Sequence, residues 1–146
     1  MQDFVHLHVH TQYSILDGQA SIPRLVDKAI ANGMRGIAVT DHGDMFGIKE
    51  FFNYVNKKNG DTNGEIKSLK KRIGALESGK EAVDNPEAEI ASCREQLEAA
   101  KKKLFKPIFG CEMYVARNRL EYKMESQTKV VIIWWCSRRM PRVITT

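Results

Sequence analysis

Residues 4–18, FVHLHVHTQYSILDG, decide how the rest of the chain is read. His6, His8 and His10 alternate with Val5, Leu7 and Val9, so an extended backbone would put three imidazoles on one face and three aliphatic side chains on the other. Neutral imidazole is a ligand for Zn²⁺, Mn²⁺ and Fe²⁺, and H-x-H at the end of a strand aims two nitrogens at one ion. The same alternation also describes a strand that merely turns polar residues to water, so the motif needs support from elsewhere. Two further stretches give it. Residues 36–47, GIAVTDHGDMFG, read as a short buried strand at Ile37, Ala38 and Val39, broken by Thr40-Asp41-His42-Gly43 where such a strand should end. On its own that tetrapeptide also suits an ordinary turn before a helix. Residues 106–114, KPIFGCEMY, bring a second apolar strand up to a carboxylate, Glu112.

Between these stretches the pattern changes from strand to helix. Ser21-Ile22-Pro23 is a helix start, Leu25, Val26, Ala29 and Ile30 recur at helical spacing, and Asn32-Gly33 stops the run. The order is therefore β-α-β. In parallel β/α folds the loops that follow the strands collect at one end, which would gather Asp17, His42 and Glu112. A second helix is expected over Met45 to Val55, with Phe46, Phe51, Phe52, Tyr54 and Val55 mostly in the core. From Lys57 to Leu104 the composition turns to Lys, Glu, Ala and Leu. Ile66, Leu69, Ile73 and Leu76, then Ile90, Cys93, Leu97, Ala100 and Leu104, form two seams of coiled-coil type. Glu77-Ser78-Gly79-Lys80 and Asp84-Asn85-Pro86 supply stop and start signals between them, so this part reads as an inserted antiparallel helical hairpin, either a docking arm or a solvated insertion without catalytic role.

H-x-H-T followed by Y-S-x-L-D-G, then T-D-H-G, then K-P-I-x-G-C-E-x-Y, resembles the PHP (polymerase and histidinol phosphatase) domain, in the form that opens the alpha subunit of bacterial DNA polymerase III. The resemblance covers Asp3 to Tyr54 and Phe105 to about Arg117. It implies an α/β fold, a distorted β/α barrel of which this chain holds the first strands, around Val5, Ala38 and Ile108, so that the chain reads as a fragment. It implies metal-ligand roles for His8, His10, Asp17, His42 and Glu112, with Glu112 a bridge between two ions and His6 and Asp41 behind the ligands. Asp41 and His42 are the residues expected to carry the chemistry. The cofactors would be divalent ions, Zn²⁺ or Mn²⁺ at this site and Mg²⁺ in a polymerase centre that lies beyond this chain. The implied activity is phosphoester hydrolysis of the 3′–5′ exonuclease or pyrophosphatase kind, or structural support, within a replicative DNA polymerase. Its partners would be DNA, a proofreading exonuclease and a sliding clamp. A free-standing phosphoesterase of the histidinol-phosphatase kind and a non-catalytic docking scaffold are the alternatives.

The domain expectation is a first part of the barrel at 1–56, the hairpin at 57–104, a continuation at 105–129 and a tail at 130–146 that does not resemble the family. In that tail Trp134, Trp135 and Met140 each have a single codon. A one-base shift turns them into Val, Val and Ala, and permitted codons elsewhere then give GYHLVVLAKNAEGYHN, the continuation the family would show, with a histidine where Ile133 stands. We therefore read the tail as out of frame. Its apolar Val130 to Trp135 run can pair with the otherwise open edge of the Ile108 strand and should promote association, leaving the fragment with little activity of its own.

The formal charge of +5 is concentrated after Phe105, where Arg138, Arg139 and Arg142 lie, so the basic balance is not a footprint for DNA. Three cysteines, Cys93, Cys111 and Cys136, without C-x-x-C spacing, fit a reducing compartment. No apolar run approaches the roughly 20 residues of a membrane span and no basic leader opens the chain, so the expectation is a cytoplasmic protein with no membrane partner.

Overall fold

Gly36, Ile37, Ala38 and Val39 are all buried and form the first strand, β1 (Gly36–Val39). The second, β2 (Lys106–Tyr114), runs parallel to it, with Gly36 opposite Lys106 and Val39 opposite Phe109. A Cβ at Gly36 would lie 2.4 Å from the Lys106 carbonyl oxygen, so this end of the parallel pair closes only on glycine. The computed structural model describes residues 4–79, 83–114, 131–136 and 142–145. Its mixed helix and strand content, with the parallel pair at one end of the sheet, makes the fold α/β. The chain divides into two compact units, Met1–Val55 with Lys106–Thr146, and Asn56–Phe105.

In the first unit, α1 (Ile22–Ala31) carries Pro23 in its first turn and ends at Asn32, whose N–H reaches the Lys28 carbonyl; Gly33 follows at φ +74°. Ile22, Val26 and Ala29 form its buried stripe, at the spacing the sequence predicts. The helix α2 (Ile48–Lys58) starts three residues later than expected, and only Phe51 and Val55 of its predicted core are fully buried. Phe46 and Phe52 are exposed instead, and Tyr54 donates from its hydroxyl to Asp27 on α1 at 2.9 Å. The reason is helical geometry: adjacent positions cannot share one face, so of Phe51 and Phe52 one must turn outward. Phe51 packs edge-on against Phe109 of β2 at 5.7 Å.

The expected histidine strand is corrected by the structure. Residues 4–10 lie extended beside β1 but form no regular ladder. Ala38 N–H donates to His6 O and Thr40 N–H to Val9 O, each at 2.9 Å, so a step of two residues on β1 is matched by three on the other chain. That extra residue breaks the period-2 alternation, as a bulge does. Leu7 is half exposed, and His6 stands against the ring of Phe4.

On the other side of β2 the apolar run of the tail supplies a partner, the pairing that the sequence left open to it. β3 (Val131–Cys136) pairs antiparallel with it, Phe109 opposite Cys136 and Tyr114 opposite Val131, and β4 (Arg142–Thr145) pairs antiparallel with β3. The parallel pair is thus closed on that side by a strand of the tail, which satisfies backbone groups that would otherwise be exposed.

In the second unit, α3 (Gly60–Glu77) and α4 (Pro86–Lys103) pack antiparallel. Ile66, Leu69 and Leu76 face Cys93 and Ala100 as the buried seam, while Ile73, Ile90, Leu97 and Leu104 are half-buried. Gly79 at φ +65° ends α3, and the Asn85 side chain caps α4 by accepting from Ala88 N–H. Arg72 pairs with Glu89, and Arg94 with Glu77 at 3.0 Å. No helix among the described residues is long and apolar enough to cross a membrane.

Candidate metal centre

The parallel ladder does not stop where β1 stops. Glu112 N–H donates to Asp41 O at 3.0 Å and Gly43 N–H donates to Glu112 O at 2.8 Å, with His42 and Glu112 forming a single bridge pair. The T-D-H-G segment is therefore held by its backbone against the one acidic residue of β2. Thr40 and Asp41, both buried, fix the histidine segment from the other side. Asp41 accepts from Thr11 N–H at 2.6 Å and from the Thr11 hydroxyl at 2.9 Å, so both of its oxygens are committed within the fold. Thr11 is followed by a turn through Ser14 to Gly18, closed by Gly18 N–H to Ser14 O at 2.9 Å. A Cβ on Gly18 would lie 2.1 Å from Thr11 O. That close approach sets Asp17 at the mouth of the site, beyond Leu16, which is fully exposed at φ +75°.

The side chains converge on one oxygen. Glu112 Oε2 lies 2.8 Å from His10 Nε2, 3.7 Å from His8 Nε2 and 3.5 Å from His42 Nδ1. His8 and His10 present their Nε2 atoms 3.4 Å apart. The same His42 Nδ1 lies 3.3 Å from Asp17 Oδ2. All five residues expected to hold metal are thus brought together, with Glu112 between the His8/His10 pair and the His42/Asp17 pair. Of the pair expected to carry chemistry, His42 stands in the cluster and Asp41 stands beneath it. His6 is not among the converging groups.

The hydrogen-bond partners fix the ring orientations. Thr40 Oγ1 accepts from Val9 N–H at 3.0 Å, has Val9 O within reach of its own proton, and lies 2.8 Å from His8 Nδ1. With Nδ1 held there, the other ring nitrogen of His8, Nε2, faces Glu112. Ser14 Oγ accepts from His42 N–H at 2.7 Å and lies 2.8 Å from His10 Nδ1. His10 Nε2 in turn faces Glu112 Oε2 at 2.8 Å. The donor set fits a metal: ligand atoms at about 2.0–2.2 Å around one tetrahedral ion are about 3.4 Å apart. His8, His10 and Glu112 offer atoms all within 4.8 Å of one another. Polar partners behind ligating histidines are the usual means of fixing their orientation.

Thr11, Ser14 and Thr40 were not singled out by sequence reasoning. Their signal is closeness in the chain, Thr11 being next to His10, Ser14 four residues after it and Thr40 two before His42. Tyr114 was likewise overlooked, and its exposed ring stands 4.9 Å from that of His42. Beside the site, burial pushes the Cys111 thiol up, with Asp44 adding to the effect. The hydrogen bond from the Tyr13 hydroxyl to Glu50 at 2.7 Å pushes that phenol up.

Comparison with known proteins adds two findings. Residues 6–134 match a family model described as PHP domain. The chain is 50% identical over 54 residues to a DNA polymerase III subunit alpha of Mycobacterium tuberculosis (strain ATCC 25618 / H37Rv), 37% of this chain and 5% of that protein. It is 56% identical over 48 residues to the protein of that name from Treponema pallidum (strain Nichols), 33% of this chain and 4% of that protein. With the protein of that name from Aquifex aeolicus (strain VF5) it shares 49% over 51 residues, 35% of this chain and 4% of that protein. In each case the matched stretch spans about a twentieth of the relative's length.

Proposed function

The chain belongs to the PHP domain family, and on that premise we propose that it forms the metal-binding, phosphoesterase-like N-terminal part of a DNA polymerase III alpha subunit. The observation that carries this is the convergence of His8, His10 and His42 on a single oxygen of Glu112, with Asp17 at the same His42 Nδ1. In this reading β1 and β2 begin a β/α barrel, and α3 and α4 are a helical insertion between its elements.

His8, His10 and Glu112 would hold one divalent ion, and His42 with Asp17 a second that shares Glu112. When bound, such ions supply an activated water and neutralise charge on phosphoryl oxygens. The imidazole-rich donor set favours Zn²⁺ or Mn²⁺ over Mg²⁺, which prefers carboxylate and water. The chain's own residues do the positioning. Thr40 and Ser14 hold the His8 and His10 rings so that Nε2 faces inward, and Asp41 locks Thr11 so that the turn presents Asp17. The His42 Nδ1 atom reaches both Asp17 and Glu112, which ties the turn at Asp17 to the end of β2. DNA, a proofreading exonuclease and a sliding clamp, with Mg²⁺ in the polymerase centre and a cytoplasmic setting, belong to the same reading.

The test is metal content. After loading with Mn²⁺ or Zn²⁺ and desalting, the parent chain should retain ion by elemental analysis, and the His8→Ala, His10→Ala double variant should retain none. Equal retention by both would remove the centre from these residues.

A further inference from the structure

The second unit carries an uneven distribution of charge that the metal centre does not use. Lys57 and Lys58 close α2, and Lys101, Lys102 and Lys103 close α4. Asn59, directly after Lys58, donates from Nδ2 to Phe105 O at 2.8 Å and accepts Phe105 N–H on Oδ1 at 3.0 Å. This one side chain clamps the two helix ends together, so the two lysine runs meet at the foot of the hairpin. All five lysines are exposed. Lys101 is paired with Glu98 at 2.6 Å, and these lysines hold the Glu98 carboxyl below the usual carboxylate range, Lys101 by its hydrogen bond and charge and Lys102 by its charge. Among the described residues no ion pair engages Lys57, Lys102 or Lys103. Two helix C-termini together contribute roughly one negative charge, fewer than the lysines gathered there.

We propose that the foot of the hairpin binds the phosphate backbone of nucleic acid. Ammonium groups recognise phosphate as point charges, without reading bases. The foot is suited to that and to little else: Phe105 is buried and the Asn59 amide is committed to the clamp. Neighbouring helices lie about 8–10 Å apart, a span that covers several charges of a duplex carrying one per roughly 1.7 Å of axis. A lipid surface needs an apolar face beside the charge. In this unit the large apolar side chain described as exposed is Val83, at the opposite end of the hairpin beside Asp84. This inference stands independently of the metal centre.

The test is binding of a fluorescein-labelled duplex oligonucleotide to the whole chain, followed by anisotropy over a salt series. The variants are Lys57→Gln with Lys102→Gln and Lys103→Gln, the same positions changed to Arg, and a tail control with Arg138, Arg139 and Arg142 changed to Gln. The Gln variant should bind more weakly, with the slope of log affinity against log salt shallower by about 2–3, and the Arg variant should match the parent. Parent-like affinity and slope in the Gln variant, with the loss confined to the tail control, would overturn the proposal. So would lysine-dependent binding to phosphatidylserine vesicles without binding to the duplex.

Discussion

A threonine hydroxyl is a small group on which to rest a metal site, but Thr40 Oγ1 has three partners: Val9 N–H, His8 Nδ1 and Val9 O. Thr40→Val keeps the shape and removes all of them. The expected result is a metal affinity lower by about 10–100-fold, because polar partners behind a ligating histidine contribute that much. Competition titration against a fluorescent chelator checks it, and a Val variant with unchanged affinity would show that His8 needs no support from behind. The converging side chains themselves were legible in the sequence as candidates, since H-x-H, D-G, T-D-H-G and G-C-E are rare enough as a set to be singled out together. Thr40 was not, because a threonine at a strand end is ordinary. What makes it a support is that Val9 lies opposite it, a pairing 31 residues away in the chain.

Among the elements, the helices were read more faithfully than the strands. The seams of α3 and α4 follow a period that burial alone dictates, and each predicted seam position is buried or half-buried. Replacing residues 59–103 by a short Gly/Ser link should leave metal retention as in the parent, because none of the converging side chains lies in that segment. Elemental analysis of the soluble excised protein checks this, and loss of ion from a folded variant would tie the hairpin to the centre. The segment over residues 4–10 was misread as a regular strand. Its alternation is real in sequence, yet three of its residues span what two span on β1, and no composition signal marks an extra residue of that kind. The aromatic residues of α2 were misread for a related reason, as hydrophobicity does not tell which of Phe51 and Phe52 faces inward. The run Val130 to Trp135 was read as able to pair with the open edge of the Ile108 strand, which β3 does, whereas nothing in the reading anticipated β4.

For the molecule as a whole, the two units differ in how far along the chain their contacts reach. The hairpin closes on neighbours, whereas the centre requires His8 and His10 to meet Glu112, more than a hundred positions later. Local contacts form quickly, and parallel pairing across long separations waits on loop closure. Refolding from denaturant should therefore show helix signal in a fast phase that is indifferent to Mn²⁺. A slower phase should coincide with ion uptake and disappear in Glu112→Ala. Simultaneous appearance of helix and bound ion in stopped-flow circular dichroism and chelator release would contradict this order. In the proposed reading, the position of Glu112 makes it a timing element as well as a candidate ligand. On a ribosome, the histidines emerge first and wait through the synthesis of an entire helical hairpin. In the proposed reading the cell's metal supply meets the complete set of side chains only after β2 has been made, and before that it meets His8, His10, Asp17 and His42 without the carboxylate that joins them.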